Sequence, residues 1–112
     1  MMRNMSTSSW NLFESIPESL DEELFSQIVH GDNVRKERIV SEGHISPEVG
    51  WHDQSENEWV LVLKGEARLL FKDGDDVLLV AGSQLNIPAR TEHKVVWTTP
   101  DTQTVWLAVH YR

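Results

Sequence analysis

The sequence contains no cysteine among its 112 residues. Disulfides, thiolate nucleophiles and Cys-based zinc sites are therefore all excluded. Positive charge is scarce, with ten Lys and Arg against eighteen Asp and Glu and a formal net charge of −8. A nucleic-acid binder concentrates positive charge to displace counterions from phosphates, so nucleic acid is set aside as a partner. An anionic membrane surface is disfavoured for the same reason. Long apolar runs are missing too: Trp59-Val60-Leu61-Val62-Leu63 is far short of the ~20 residues a span requires. No apolar stretch follows Arg3, so no secretory signal is expected and a cytoplasmic location is the default. Low-complexity and repeated segments are absent as well.

What remains is an ordinary globular composition, 39% hydrophobic and 25% charged, in a chain long enough for one domain. Residues 1–33 read as a leader followed by a short helix, and residues 34–112 as a barrel domain. Ser19 and Glu22 have the spacing of a capping box, and Leu20, Leu24, Phe25 and Ile28 then fall on one helical face. Gly31 stands where a left-handed cap would end the helix, with His30 near its negative end. Such a helix is expected to cover a sheet.

From Val34 the hydrophobic period changes to two and stays there. Strands are expected at 34–40, 51–54, 58–63, 66–72, 76–80, 84–87, 93–97 and 104–111. Asp73-Gly74 between two such runs is a hairpin signal. Gly65, Gly82, Pro88 and the Ser46-Pro47 and Val49-Gly50 pairs punctuate the rest. Short strands at this spacing predict an all-β antiparallel sandwich or barrel with one short N-terminal helix. Some strands are apolar on both faces, so something must cover the outside. The helix or a second subunit would do so, and a homodimer is expected.

Polar residues interrupt this pattern at particular positions. His52 and Gln54 leave a strand on the same face, Glu58 shares their parity, and His93 points inward from a later strand. Two imidazoles, a carboxylate and an amide would make a mixed nitrogen and oxygen site for a first-row divalent metal. Each has a plainer reading, since a His or Gln on an apolar strand more often serves as a hydrogen-bonded core residue. Glu58 is the informative member, because a buried carboxylate needs a cation, a donor network or a raised pKa. Asp53 and Lys94 are expected to face solvent, and Arg90 to hold a turn or meet an anion. Trp97 is expected in the lumen beside His93, Trp59 outside, and His110 away from the site. The parity of Trp51 and Trp106 leaves both faces open.

His52-x-Gln54-x3-Glu58-x6-Gly65 resembles the first cupin motif, His-x-His-x3-Glu-x6-Gly. Gly82-x5-Pro88-x-Arg90-x2-His93 resembles the second, Gly-x5-Pro-x-Gly-x2-His. The resemblance covers about residues 34 to 111 and is to a small single-domain cupin of the conserved-barrel, RmlC-like type. It implies a jelly-roll barrel, often dimeric, with a metal ion (Fe, Mn, Ni or Zn) held by His52, Gln54, Glu58 and His93. It also implies a small-molecule ligand, with dioxygenase, isomerase and decarboxylase chemistry all represented. A non-enzymatic metabolite-binding or dimerisation module with an empty barrel is the alternative. Gln54 stands in for the second histidine and Arg90 for the glycine. The chain also resembles an uncharacterised bacterial subgroup that carries an aromatic residue at the position of His52. There, His44 becomes a substitute imidazole.

Overall fold

The computed structural model describes residues 9–112, so most of the expected leader, residues 1–8, lies outside the described residues. Eight strands follow in order: β1 (Leu24–His30), β2 (Val34–Ser41), β3 (Asn57–Lys64), β4 (Ala67–Phe71), β5 (Asp76–Leu79), β6 (Gln84–Ile87), β7 (His93–Thr98) and β8 (Thr104–Tyr111). They form a five-stranded sheet, β1-β2-β8-β3-β6, facing a three-stranded one, β5-β4-β7. Every pairing is antiparallel. Val60, Val62, Ala67, Leu69, Leu79, Ile87, Trp106 and Ala108 pack between the sheets as the core. No helix long and apolar enough to cross a membrane is present among the described residues.

The expected N-terminal helix does not form, and no helix is assigned among the described residues. Leu24–His30 is instead an edge strand paired with β2, with Leu24 opposite Val40 and Phe25 opposite Ile39. The same residues satisfy both periods, because Leu24, Ser26 and Ile28 alternate in burial with Phe25, Gln27 and Val29. A helix this short is marginal in water. Pairing with β2 satisfies backbone groups along both strands, and that interaction wins. His30 therefore ends a strand and meets no helix dipole.

The outer face of β2 is covered by the segment preceding β1. Arg38, on that face, is 2% exposed. Its guanidinium donates to the carbonyls of Leu12 at 3.1 Å and Glu14 at 2.6 Å and to Ser26 Oγ at 3.1 Å. It also lies 4.7 Å from the ring centre of Trp10. Gln103 secures the same segment, donating to the Pro17 carbonyl at 2.8 Å. The covering of a two-sided apolar sheet is thus an irregular strap held by a buried cation.

Two further departures follow from local backbone chemistry. Residues 51–54 make no strand: His52 forms one isolated bridge with His93, and the chain then bends so that the Gln54 carbonyl accepts from Arg90 N. Trp97 does not reach the lumen and is 38% exposed. In the β4–β7 ladder Arg68 faces Trp97 whereas Leu69 faces Val95, so β7 carries an extra residue. A bulge of one residue reverses the facing of everything beyond it. Trp59 and Trp51 are half-buried, and Trp106 is in the core.

Arg90 and Ser15 are the two non-glycine residues with positive φ among the described residues, and Gly65 makes a close backbone approach. Gly65 has φ 81° and passes so close to β8 that a Cβ there would lie 2.7 Å from Thr104 Cα. Arg90 has φ 64°, the left-handed region that its glycine counterpart in the motif occupies without a steric penalty. Gly65→Ala is expected to destabilise the fold by about 3 kcal/mol, from strain and overpacking combined. Arg90→Gly is expected to stabilise it by about 0.5–1 kcal/mol. The pair with Asp53 that it removes is exposed and worth little. Urea midpoints of the two variants against the parent check both signs.

Candidate functional site

A cavity of about 280 Å³ opens between the two sheets. Its apolar wall includes Ile39, Val60, Leu69 and Trp106, and its polar wall Glu23, Glu37, His52, Gln54, Glu58, His93 and His110. β3 carries Glu58 inward on the same face as the buried Val60 and Val62. β7 begins with His93, which is 5% exposed. The single bridge of His52 to His93 closes the rim and brings the two rings to 5.6 Å.

Glu58 is the hub. Its Oε1 accepts from Gln54 Nε2 at 2.8 Å and lies 3.7 Å from His93 Nε2. Its Oε2 lies 3.9 Å from His110 Nε2, which is itself 3.3 Å from Glu37 Oε1. The structure therefore brings Gln54, Glu58 and His93 together. His52 stays at the exposed rim, with Nε2 at 3.2 Å from Ser46 Oγ. His44 is outside the cavity wall, and both its nitrogens are engaged, by Glu42 N at 2.9 Å and the Asp21 carbonyl at 3.1 Å. Asp53 and Arg90 face outward as an exposed pair at 3.5 Å. Lys94 leans over Trp51 and donates to the Glu48 carbonyl.

His110, expected away from the site, lies in it, and Glu37, not singled out in the sequence, extends the network with it. His110 lines the cavity, whereas Leu107 and Val109, which look like the core residues of that strand, point the other way. The usable signal is pairing: Glu58 lies directly opposite His110, and residues directly opposite in an antiparallel ladder share a face. Glu37 lies opposite Ala108 on β2 and faces the same lumen.

The chemistry of this donor set fits a cation at its inner end. His93 Nδ1 donates to the Thr91 carbonyl at 2.8 Å, which turns the Nε2 lone pair toward Glu58. Such a backbone bond is the usual orienting partner of a metal-ligating imidazole. Two lone-pair atoms facing each other out of water require a proton or a metal between them. The outer members fit less well, because Gln54 presents its NH2 to Glu58 and not its carbonyl oxygen. No group of three or more His, Asp or Glu side chains is placed to hold a metal among the described residues.

Burial pushes the Glu58 carboxyl up, but polar contact with His93 and Gln54 and the charges of His110 and His93 outweigh it and hold it below its ordinary 4.5. Burial pushes His93 down, and contact with Glu58, the Thr91 carbonyl and the Glu58 charge bring it above its ordinary 6.5. Stability from Glu58 is present above pH 4.5 and lost as pH falls through the lowered folded value. Stability from His93 is present below pH 6.5 and lost as pH rises through the raised folded value. For metal-free protein the pair is therefore expected to stabilise most between pH 4.5 and 6.5. Urea midpoints measured from about pH 4 to 9 should show both limbs, with Glu58→Gln flattening them.

The cupin-domain family profile matches residues 37–110. Among solved structures, a Ralstonia eutropha JMP134 protein provisionally named a mannose-6-phosphate isomerase is 34% identical, with 93% of this chain and 97% of that one covered and a TM-score of 0.89. A cupin superfamily protein from Desulfitobacterium hafniense DCB-2 is 21% identical over 86% of this chain and 83% of its own, with a TM-score of 0.71. An RmlC-like cupin from Desulfovibrio desulfuricans is 17% identical over 92% and 95%, with a TM-score of 0.69. No curated protein gives a significant match. With both motifs in register on an antiparallel double sheet, and a family match across most of its length, the chain belongs to the cupin family.

Proposed function

We propose that this protein is a metal-dependent cupin that binds and transforms a small molecule inside its barrel. The observation that carries the reading is the His93–Glu58 pair, with Nε2 aimed at a buried carboxylate 3.7 Å away and Nδ1 fixed by a backbone carbonyl. His93 and Glu58 would hold a divalent ion (Fe, Mn, Ni or Zn), with His52 from the rim as a third donor and Gln54 as a weak fourth. A bound ion of this kind polarises a ligand oxygen or activates water. The chain's own residues orient that ligand: Gln54 fixes one Glu58 oxygen, the apolar wall excludes water, and Glu37 with His110 offers an acid–base pair beside it. A reaction is not chosen by the fold.

A second reading is supported by the direction of the Gln54 amide and the lack of a three-donor cluster among the described residues. It is a metabolite-binding module that works without metal. Metal analysis of protein purified without a histidine tag separates the two. The first reading expects stoichiometric metal, lost in His93→Ala and in Glu58→Ala and weakened less in Gln54→Ala. Gln54→His is expected to tighten Zn or Ni binding by about tenfold or more, since it replaces a neutral amide with an imidazole. Metal-free wild-type protein with an intact fold supports the second reading.

We further propose that the protein works as a cytoplasmic homodimer. Phe25 is 57% exposed and Val29 44%, both on β1, whose outer edge has no partner strand among the described residues. A free apolar edge is a template for pairing. Sedimentation at micromolar concentration is expected to show twice the 12.9 kDa of one chain; a 12.9 kDa species alone overturns the dimer.

A further inference from the structure

The register of β1, β2, β8 and β3 sorts the cavity floor into rows, because residues directly opposite one another share a face. Phe25 is opposite Ile39, Ile39 opposite Trp106 and Trp106 opposite Val62, an apolar row across four strands. One row farther on, Glu37 is opposite Ala108 and Ala108 opposite Val60. In the next, His110 is opposite Glu58. The floor is therefore apolar at one end and polar at the other. At the sheet edge the apolar row runs out of cover: Phe25 lines the cavity yet is 57% exposed. Ile45, in the loop after β2, also lines the cavity and is 55% exposed.

A second observation is that the polar side chains of the wall are engaged with one another or with neighbouring protein groups. Gln54 donates to Glu58 at 2.8 Å, His110 meets Glu37 at 3.3 Å, and Ser46 meets His52 at 3.2 Å. His93 Nδ1 donates to the Thr91 carbonyl. Glu23 accepts from the Ser41 hydroxyl, which in turn accepts from Trp106 Nε1 at 3.2 Å. A sugar ring in this space would have to break such contacts or bury hydroxyls without partners, at the desolvation cost of each. An apolar body breaks none of them and gains from the area it covers.

We propose that the cavity takes a compact apolar molecule with a single hydroxyl or carbonyl group, and that it discriminates against polyhydroxylated rings. The oxygen points toward Glu58 and His110, the body lies along Ile39 and Trp106, and Phe25 and Ile45 flank its outer end. A cavity of about 280 Å³, at the low end for ligand sites, limits the body to roughly one ring. Exposed apolar side chains are ordinary when scattered singly. These two stand on the rim of one cavity, and an apolar ligand gives them the burial that the chain alone does not. The proposal rests on the cavity being the ligand site described above and is independent of the metal.

The test compares cyclohexanol with myo-inositol, which has the same carbon ring and a hydroxyl on every carbon; mannose 6-phosphate is a third probe. Each is titrated into the nitrogen-15-labelled full chain after dialysis against chelator, and the Trp106 indole signal is followed by NMR. Cyclohexanol is expected to shift that signal saturably and to bind about tenfold or more tightly than either polyhydroxylated probe. Ile45 is the residue to change, because Phe25 also lies on the edge strand proposed to pair between copies. Ile45→Ser, with its fold checked by circular dichroism, is expected to weaken cyclohexanol about fivefold, whereas Ile45→Leu keeps the affinity. No saturable shift with cyclohexanol, or myo-inositol or mannose 6-phosphate bound as tightly, overturns the proposal without any variant. Unchanged cyclohexanol affinity in folded Ile45→Ser overturns it as well. Binding of a polyhydroxylated probe at Trp106 would leave the cavity as the ligand site and remove only the apolar class. Metal content is measured on separate, undialysed protein, so failure of the metal reading and failure of this one are read from different samples.

Discussion

The central position of β8 is the constraint on which the rest of this structure depends. It pairs with β2 along one edge over eight residues and with β3 along the other over seven. Both of its faces are therefore buried or half-buried, and hydrophobicity alone does not say which face looks inward. The register does say so. Trp106 faces Ile39 and Val62, Ala108 faces Glu37 and Val60, and His110 faces Glu58. Small Ala108 leaves room where two strands bring polar groups inward, and bulky Trp106 closes the apolar end.

That register creates an electrostatic problem which the cavity solves with alternation. Glu37, His110, Glu58 and His93 follow one another as acid, imidazole, acid, imidazole, each largely withdrawn from water. Isolated, any of these ions would be expensive to bury; in alternation each has a partner of opposite tendency.

Cover for the outer face has a different origin. Arg38 is buried there because its guanidinium fork collects the Leu12 and Glu14 carbonyls and a serine hydroxyl. Arginine presents several rigid donors, and here they give an otherwise irregular segment a fixed path. Its Nε remains unpartnered, so the clasp is incomplete.

The period-two pattern from Val34 onward, the turn signals and the spacing of two motifs carried the all-β architecture and seven of the eight strands, because strand periodicity and turn chemistry are local properties. Glu58 and His93 were legible for the same reason, as polar residues at inward positions of apolar strands. Leu24–His30 was not, since its pattern serves a helix and a strand equally until β2 offers its edge. Trp97 was not, since one bulged residue in β7 reverses its facing without leaving a mark in the pattern. His110 and Glu37 were not, since a strand apolar on both sides has no inner face until its neighbours are known. Residue types and their local period are written along the chain; which faces meet, and so which charges share a cavity, is decided only when strands far apart in sequence pair in a definite register.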